Sequence, residues 1–175
     1  DDPIRRAKGN GVVTPREYWA MAEQFNPQNY EPKKWLQAAK DAGFTYAVFT
    51  TRHHDGFSMW PSEVSDFSTK NFMNGRDLVK EYVDACREVG LKVGLYFSPP
   101  DWKFDQQYRS FMSGSHSASY PDRPNKDIDH QVIEGDLPVM PVEHFDRYIA
   151  YMNAQVRELL TNYGPVSELW FDMGS

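Results

Sequence analysis

The sequence is poor in cysteine, in long apolar runs and in positive charge. Cys86 is its only cysteine in 175 residues, which excludes an intramolecular disulfide framework and a cysteine-based zinc site. No stretch approaches the roughly 18 uninterrupted apolar residues of a membrane-spanning helix, so no membrane partner is expected. The 25 acidic residues outnumber the 19 basic ones and give a net charge of −6. Because nucleic-acid binders present a basic face, this balance argues against nucleic acid as a partner.

Several common catalytic and cofactor motifs are also absent. The sequence has no Gly-rich phosphate loop, no Gly-x-Ser-x-Gly nucleophile elbow and no histidine–glutamate motif of zinc enzymes. We therefore expect neither a cofactor nor a metal. The chain begins Asp1-Asp2-Pro3, without a methionine or the apolar segment of a secretion signal. From that start we expect a processed product or a fragment.

Helical and strand-like apolar patterns alternate along the chain. The spacing predicts helices at 33–42, 77–89 and 142–163, and strands at 45–51, 91–98 and 166–172. Asp77 is a suitable N-cap, and Gly43 and Gly90 are suitable helix stops. Alternation of this kind predicts an α/β fold in which helices connect parallel strands by right-handed crossovers.

Polar residues collect where the predicted strands end. Arg52 to Asp55 follows the first strand, Pro99 to Trp102 the second, and Asp172 to Ser175 the third. Ligands of parallel α/β folds bind at this carboxyl edge, so these residues are the candidates for a site. The Ser/Asp/Pro-rich stretch 113–140 has no clear period and is expected to be a lid or a disordered segment.

The adjacent residues His53 and His54 have two interpretations. Successive side chains of a strand point to opposite faces, so within a strand the two rings could not share a metal ion. Beyond the strand end, in a turn at Asp55-Gly56, both rings could bind one ligand through hydrogen bonds. The alternative is one histidine in the core and the other in solvent. Asp172 has similar alternatives, as a nucleophile or general base, or as a turn-forming residue.

Together these segments resemble the α-L-fucosidase family of glycoside hydrolases, family 29. The resemblance lies in AGFTYAVFTTRHHDGF (42–57), GRDLVKEYVDACREVGLKVGLYFSPPDW (75–102) and NAQVRELLTNYGPVSELWFDMG (153–174). It implies part of a (β/α)8 TIM-like barrel, with three parallel strands in residues 1–175. It also implies a retaining exo-α-L-fucosidase that hydrolyses terminal α-L-fucose from glycans. A hydrolase of another glycan, a metal-dependent hydrolase, and a non-catalytic carbohydrate-binding or structural module remain alternatives.

The resemblance also suggests roles for individual residues. Asp172 matches the nucleophile, which forms a covalent glycosyl-enzyme. His53 and His54 match histidines that hold sugar hydroxyls, and Tyr96 matches a tyrosine near the nucleophile. Further substrate-binding candidates are Glu17, Trp19, Trp60 and Trp102, of which Trp60 and Trp102 have the core as an equal alternative; Trp35 is expected in the core. Aromatic residues form 15% of the sequence, and rings beside a polar cleft are platforms for sugars.

Two departures from the family pattern point to an incomplete barrel. The sequence lacks the Phe-x-Ile-His-Trp-Gly segment of many members. The family's acid/base carboxylate follows the nucleophile strand, and we expect it outside this chain, so that the chain alone has little turnover. A full barrel takes about 250 residues, so the remainder of the barrel or another copy should cover the open strand edges. Such enzymes usually meet glycans outside the cytoplasm, which suggests an extracellular, periplasmic or lysosomal location.

Overall fold

A computed structural model describes residues 13–111 and 124–172. The chain divides into two units that are described separately. The strand unit comprises Asn26–Asp101 and Asp146–Ser175, and the hairpin unit comprises Asp1–Phe25 and Trp102–Phe145. Within the described residues, no helix combines the length and the apolar character that crossing a membrane requires.

The helices and strands follow one another in the order that the periodicity predicts, with additional short elements. They are α1 (Pro15–Ala20), a 3₁₀ turn (Met21–Gln24), α2 (Pro32–Asp41), β1 (Tyr46–Arg52), α3 (Thr69–Phe72), α4 (Leu78–Val89), β2 (Lys92–Phe97), a second 3₁₀ turn (Gln106–Tyr108), β3 (Asn125–Lys126), β4 (Val132–Ile133), α5 (Val142–Thr161) and β5 (Glu168–Phe171).

The strand unit contains a three-stranded parallel sheet in the order β1-β2-β5. Tyr46 of β1 lies opposite Lys92 of β2, and Gly94 of β2 lies opposite Glu168 of β5. Helices α4 and α5 separate the three strands along the chain. The predicted parallel α/β arrangement is therefore confirmed, with element ends that differ from the prediction by a few residues.

The ends of α4 and α2 follow the predicted signals. The Asp77 carboxylate accepts a hydrogen bond from the Lys80 amide at 2.8 Å, which caps the first turn of α4. Gly90 ends the same helix in the left-handed conformation, with φ of 77°, and Gly43 follows α2 with φ of 93°. Both glycines take a conformation that other residues adopt at a cost.

The core of the strand unit lies between α4 and the sheet. Tyr82, Cys86, Leu95 and Phe97 are fully buried there. Burial raises the pKa of the Cys86 thiol, as expected of an inert core cysteine. Trp35 corrects a prediction: it is 45% exposed, although its ring stacks on the Tyr82 ring.

The hairpin unit gives regular structure to part of the stretch in which no period was visible. Strands β3 and β4 pair in antiparallel fashion, and the Asp127 carboxylate accepts hydrogen bonds from two backbone amides in the turn between them. The Arg16 guanidinium of α1 binds the Asp129 carboxylate of this turn at 2.6 and 2.8 Å. Of the two expectations for 113–140, disorder is therefore wrong for 124–133 and a lid stays a prediction, while 113–123 lies outside the described residues.

Candidate active site at the carboxyl ends of the strands

The candidate site lies in the strand unit, where β1, β2 and β5 end. His53 and His54 follow β1, Ser98 follows β2 and Asp172 follows β5. The Asp172 amide donates to the Phe97 carbonyl at 3.4 Å and so extends the β2–β5 pairing by one residue. The parallel topology thus brings together residues that are more than 100 positions apart in sequence.

A tight turn directs the two histidines. The Gly56 amide donates to the His53 carbonyl at 3.1 Å, and Asp55 accepts a hydrogen bond from the Phe57 amide at 3.2 Å. Gly56 has φ of 88°, and a Cβ atom at this position would lie 2.5 Å from Oδ1 of Asp101. Only glycine satisfies both the conformation and the close approach, which confirms the predicted turn at Asp55-Gly56.

The imidazole rings of His53 and His54 lie side by side with centroids 4.3 Å apart. One ligand atom from each ring and one from the Asp172 carboxylate all lie within 4.8 Å of one another. Because β1 ends at Arg52, the strand argument against a shared ligand does not apply, and the alternative of one core and one solvent histidine is not observed. Within the described part of the chain, these three side chains also form a group that could hold a metal ion.

Tyr96 connects β2 to the carboxylate. Its hydroxyl donates to Oδ2 of Asp172 at 2.7 Å, and its ring stacks on His53 with centroids 5.7 Å apart and planes 7° apart. Burial raises the pKa of Tyr96, and the hydrogen bond to Asp172 and the charge of that residue act in the same direction. The phenol therefore remains protonated at neutral pH and serves as a donor.

Arg52 is a residue of this region whose role the sequence did not suggest. It is fully buried and donates hydrogen bonds to Asp101, Gln155, Tyr148 and the carbonyl oxygens of Ser98 and Pro99. Its guanidinium carbon also lies 4.3 Å from the centroid of the Phe97 ring. The side chain thus joins the residue before the two histidines to the turn after β2 and to α5.

Trp60 corrects one of the sequence-based site assignments. Its ring is 1% exposed within the core of the strand unit, and its Nε1 donates to the Glu158 carboxylate at 2.8 Å. A ring enclosed in this way has no free face on which a sugar could stack. We therefore assign Trp60 to the core.

The other three candidates, Glu17, Trp19 and Trp102, belong to the hairpin unit. The Glu17 carboxylate accepts from the Thr14 amide while the Thr14 hydroxyl accepts from the Glu17 amide, so this pair caps α1. The Thr14 hydrogen bonds lower the pKa of Glu17. Trp19 and Trp102 are each 7% exposed, with the cations of Lys103 and Arg109 respectively close to their rings. Their roles as sugar contacts stay predictions.

Comparison with known proteins identifies the family. The model of the alpha-L-fucosidase family matches residues 9–175. The chain belongs to the alpha-L-fucosidase family. It is 33% identical over 151 residues to Alpha-L-fucosidase 1 of Arabidopsis thaliana, and this match covers 85% of the chain and 23% of the plant protein. It is 38% identical over 86 residues to the human tissue alpha-L-fucosidase, covering 49% of the chain and 18% of that relative.

Solved alpha-L-fucosidase structures share the fold. Alpha-L-fucosidase isoenzyme 1 from Paenibacillus thiaminolyticus superposes with a TM-score of 0.70 and 40% identity, covering 93% of this chain and 35% of that protein. A family 29 enzyme from Bacteroides thetaiotaomicron, trapped as a covalent intermediate with 2-fluoro-fucosyl fluoride, gives a TM-score of 0.67 and 30% identity over 91% of this chain and 31% of its own. The three parallel strands with alternating helices are thus part of the (β/α)8 barrel of this family, and the chain spans under a quarter of the curated relatives above.

Proposed function

We propose that the protein is a retaining exo-α-L-fucosidase that hydrolyses terminal α-L-fucose from glycans, with Asp172 as its nucleophile. The observation that supports this most directly is the Asp172 carboxylate at the end of β5, held by the Tyr96 hydroxyl at 2.7 Å and close to two imidazole rings. The substrate class follows from family membership and from a relative solved in complex with Fuca(1,6)GlcNAc. The covalent step follows the relative trapped with a fluoro-fucosyl compound.

In the first step a carboxylate oxygen of Asp172 bonds to the anomeric carbon while the glycosidic carbon–oxygen bond breaks. The leaving oxygen takes a proton from a second carboxylic acid. In the second step water attacks the anomeric carbon, gives its proton to that second group and releases Asp172. The hydrogen bond from Tyr96 fixes the orientation of the attacking oxygen before the substrate arrives.

His53 and His54 hold the sugar. Each neutral imidazole offers one donor and one acceptor, which suits the hydroxyl groups of a pyranose ring. Two rings within 4.8 Å of the nucleophile can fix the sugar so that its anomeric carbon faces the carboxylate. Their role is orientation, and the proton transfers belong to the carboxyl groups.

A retaining mechanism requires a second carboxyl group roughly 5 Å from the first. We assign it to a part of the barrel beyond the described residues, together with the structure that covers the open edges of β1 and β5. On this proposal residues 1–175 alone bind fucose weakly and turn over little glycoside. We also propose a location where glycans are exposed: extracellular, periplasmic or lysosomal.

Mass spectrometry after incubation of the full-length protein with a 2-fluoro-fucosyl inactivator tests the nucleophile. We expect one fluorofucosyl adduct, located on the peptide that contains Asp172, because fluorine slows the release of the covalent intermediate. The Asp172→Asn variant should form no adduct. Glu168→Gln, which changes another carboxylate of β5, should label like the unchanged protein.

An adduct on any other residue, or labelling of the Asp172→Asn variant, contradicts the assignment. Binding of fucose by the full-length protein without either hydrolysis or an adduct favours a carbohydrate-binding module instead. Treatment with a chelator separates the metal-dependent alternative: we expect unchanged hydrolysis of an aryl α-L-fucoside, and a loss that added divalent metal restores would place a metal on His53, His54 and Asp172.

A further inference from the structure

We infer that Ser98 is a positioning residue that selects the tautomer of His54: its hydroxyl oxygen accepts the Nδ1 proton, so that Nε2 holds the lone pair that meets the substrate. The inference rests on the proposed function for what the substrate is, and on the geometry of the strand unit for the tautomer. Ser98 is fully buried, and its hydroxyl oxygen contacts Nδ1 of His54.

The direction of the hydrogen bond between Ser98 and His54 follows from where the hydroxyl protons of Tyr96 and Ser98 point. The Tyr96 proton is directed to the Asp172 carboxylate at 2.7 Å. The single hydroxyl proton of Ser98 has an acceptor within reach in the Pro100 carbonyl, at 3.4 Å. With that acceptor the proton points away from His54, and the contact between Ser98 and His54 then uses the proton on Nδ1.

The opposite assignment leaves a hydrogen bond unmade. If Ser98 donated to Nδ1 of His54, the Pro100 carbonyl could not receive its proton. The arrangement that also satisfies the Pro100 carbonyl has His54 donating to Ser98 and Ser98 donating to that carbonyl. Successive hydrogen bonds of one direction strengthen one another.

Arg52 fixes Ser98 from both sides of its peptide unit. The Ser98 amide donates to the Arg52 carbonyl at 3.0 Å, and the Arg52 guanidinium donates to the Ser98 carbonyl at 2.6 Å. The backbone that carries the Ser98 hydroxyl is therefore fixed by hydrogen bonds to Arg52, the residue just before the two histidines. A hydroxyl held this firmly can select one tautomer of a neighbouring ring.

The tautomer of His54 determines which partner donates in its hydrogen bond with the substrate. A neutral His54 with its proton on Nδ1 offers only an acceptor at Nε2, so the sugar hydroxyl that meets it has to donate. A fluorine in place of that hydroxyl accepts but cannot donate. Within a series of singly substituted aryl fucosides, the deoxyfluoro and deoxy compounds at the contacted position should then lose kcat/KM to a similar extent.

Histidine-selective ¹⁵N labelling and long-range NMR correlations measure the tautomer directly, on the unliganded protein at a pH where the ring is neutral. The His54 signals are assigned from their loss in His54→Gln. We expect the Nδ1–H form in the unchanged protein and a shift towards the Nε2–H form in Ser98→Ala. Ser98→Thr keeps a hydroxyl and should keep the Nδ1–H form. Ser68→Ala is the matched control, because it removes a buried hydroxyl that binds the Ser65 carbonyl.

The kinetic readout tests the positioning role. Ser98→Ala should lower kcat/KM for an aryl α-L-fucoside about tenfold to a hundredfold, as is typical for partners that orient functional histidines. Ser98→Thr should recover most of the loss.

An Nε2–H form in the unchanged protein overturns the inference even if Ser98→Ala fails to fold, and so does an altered tautomer with unaltered kcat/KM. Absence of any turnover by the full-length protein with the Nδ1–H form present contradicts the proposed function and leaves the tautomer assignment supported.

Discussion

Arg16 in the hairpin unit and Arg52 in the strand unit are both ion-paired, in opposite surroundings. Arg16 binds both oxygens of Asp129, yet the two side chains are 62% and 41% exposed. Arg52 and its partner Asp101 are 0% and 3% exposed, and Arg52 donates to several further groups. The bidentate geometry is thus found at the surface, and the many-partner geometry in the core.

The difference shows how each region is held. Water and salt can replace an exposed ion pair, so the Arg16 pair ties the hairpin turn to α1 without fixing much else. A buried guanidinium cannot be replaced in this way, because each partner left without it loses a hydrogen bond in a place that water does not reach. The two site histidines follow directly after the buried arginine. Burial therefore provides the fixed geometry that the candidate site needs.

Removing the buried guanidinium should have the largest effect. Arg52→Met removes the buried ion pair with Asp101, and we expect the free energy of unfolding to fall by about 3–5 kcal/mol. Urea denaturation at neutral pH measures it. Arg52→Lys keeps the charge but not the planar guanidinium. The free energy of unfolding of this variant should therefore lie between those of Arg52→Met and the unchanged protein. Arg16→Met is the matched control and should leave the urea midpoint almost unchanged; equal shifts for both positions would contradict the comparison.

The hydroxyl of Tyr96 gives the next largest effect, this time on activity. Tyr96→Phe removes the donor that holds Asp172, and a hydrogen bond to a charged group contributes about 1.5–3 kcal/mol. We expect kcat/KM for an aryl α-L-fucoside to fall about tenfold to a hundredfold. Tyr82→Phe removes a buried hydroxyl that binds the Gly94 carbonyl. This control should lower stability and leave kcat/KM of the folded protein unchanged.

Gln155 tests whether the network around Arg52 depends on neutral partners as well. Its oxygen accepts from Arg52 at 2.7 Å and its nitrogen donates to Ser58 at 2.8 Å, all within the core. Gln155→Leu should lower the free energy of unfolding by about 1–2 kcal/mol, because two buried polar groups lose their partner. Gln37→Leu changes an exposed glutamine that binds Asp41 on α2 and should have little effect. A similar loss for both variants would show that burial is not the deciding factor.

Much of the site was predictable from the sequence because periodicity and topology determine it. Once three strands are parallel, their carboxyl ends meet, and His53, His54 and Asp172 have to come close together. The turn at Gly56 is likewise a local property, readable from two residues. The family resemblance then added the roles, which neither the spacing nor the residue types could provide.

The features that the sequence did not predict depend on contacts between residues far apart in sequence. The partners of Arg52 lie 46 to 103 residues away, so an arginine at a strand end gives no local sign that it is buried. Trp60 was ambiguous for the same reason, since its enclosure depends on Glu158 of α5. Strands β3 and β4 have two residues each, too few for a period of two to be recognised.

The exposed ion pair between Arg16 and Asp129 should contribute least to stability, and its contribution should depend on pH. The hydrogen bond with Arg16, followed by the charge of that residue, lowers the pKa of Asp129 from 3.8. A carboxylate whose folded-state pKa is depressed contributes stability above its unfolded pKa, and that contribution disappears as pH falls through the folded value. An NMR titration of the Asp129 carboxyl carbon should therefore give a lower pKa in the unchanged protein than in Arg16→Gln.

In 1 M salt, where the Debye length is about 3 Å, this difference in the pKa of Asp129 should shrink, whereas the difference in stability between Arg52→Met and the unchanged protein should persist. A salt response shared by both arginines would mean that water reaches Arg52, and the contrast between the two regions would then disappear.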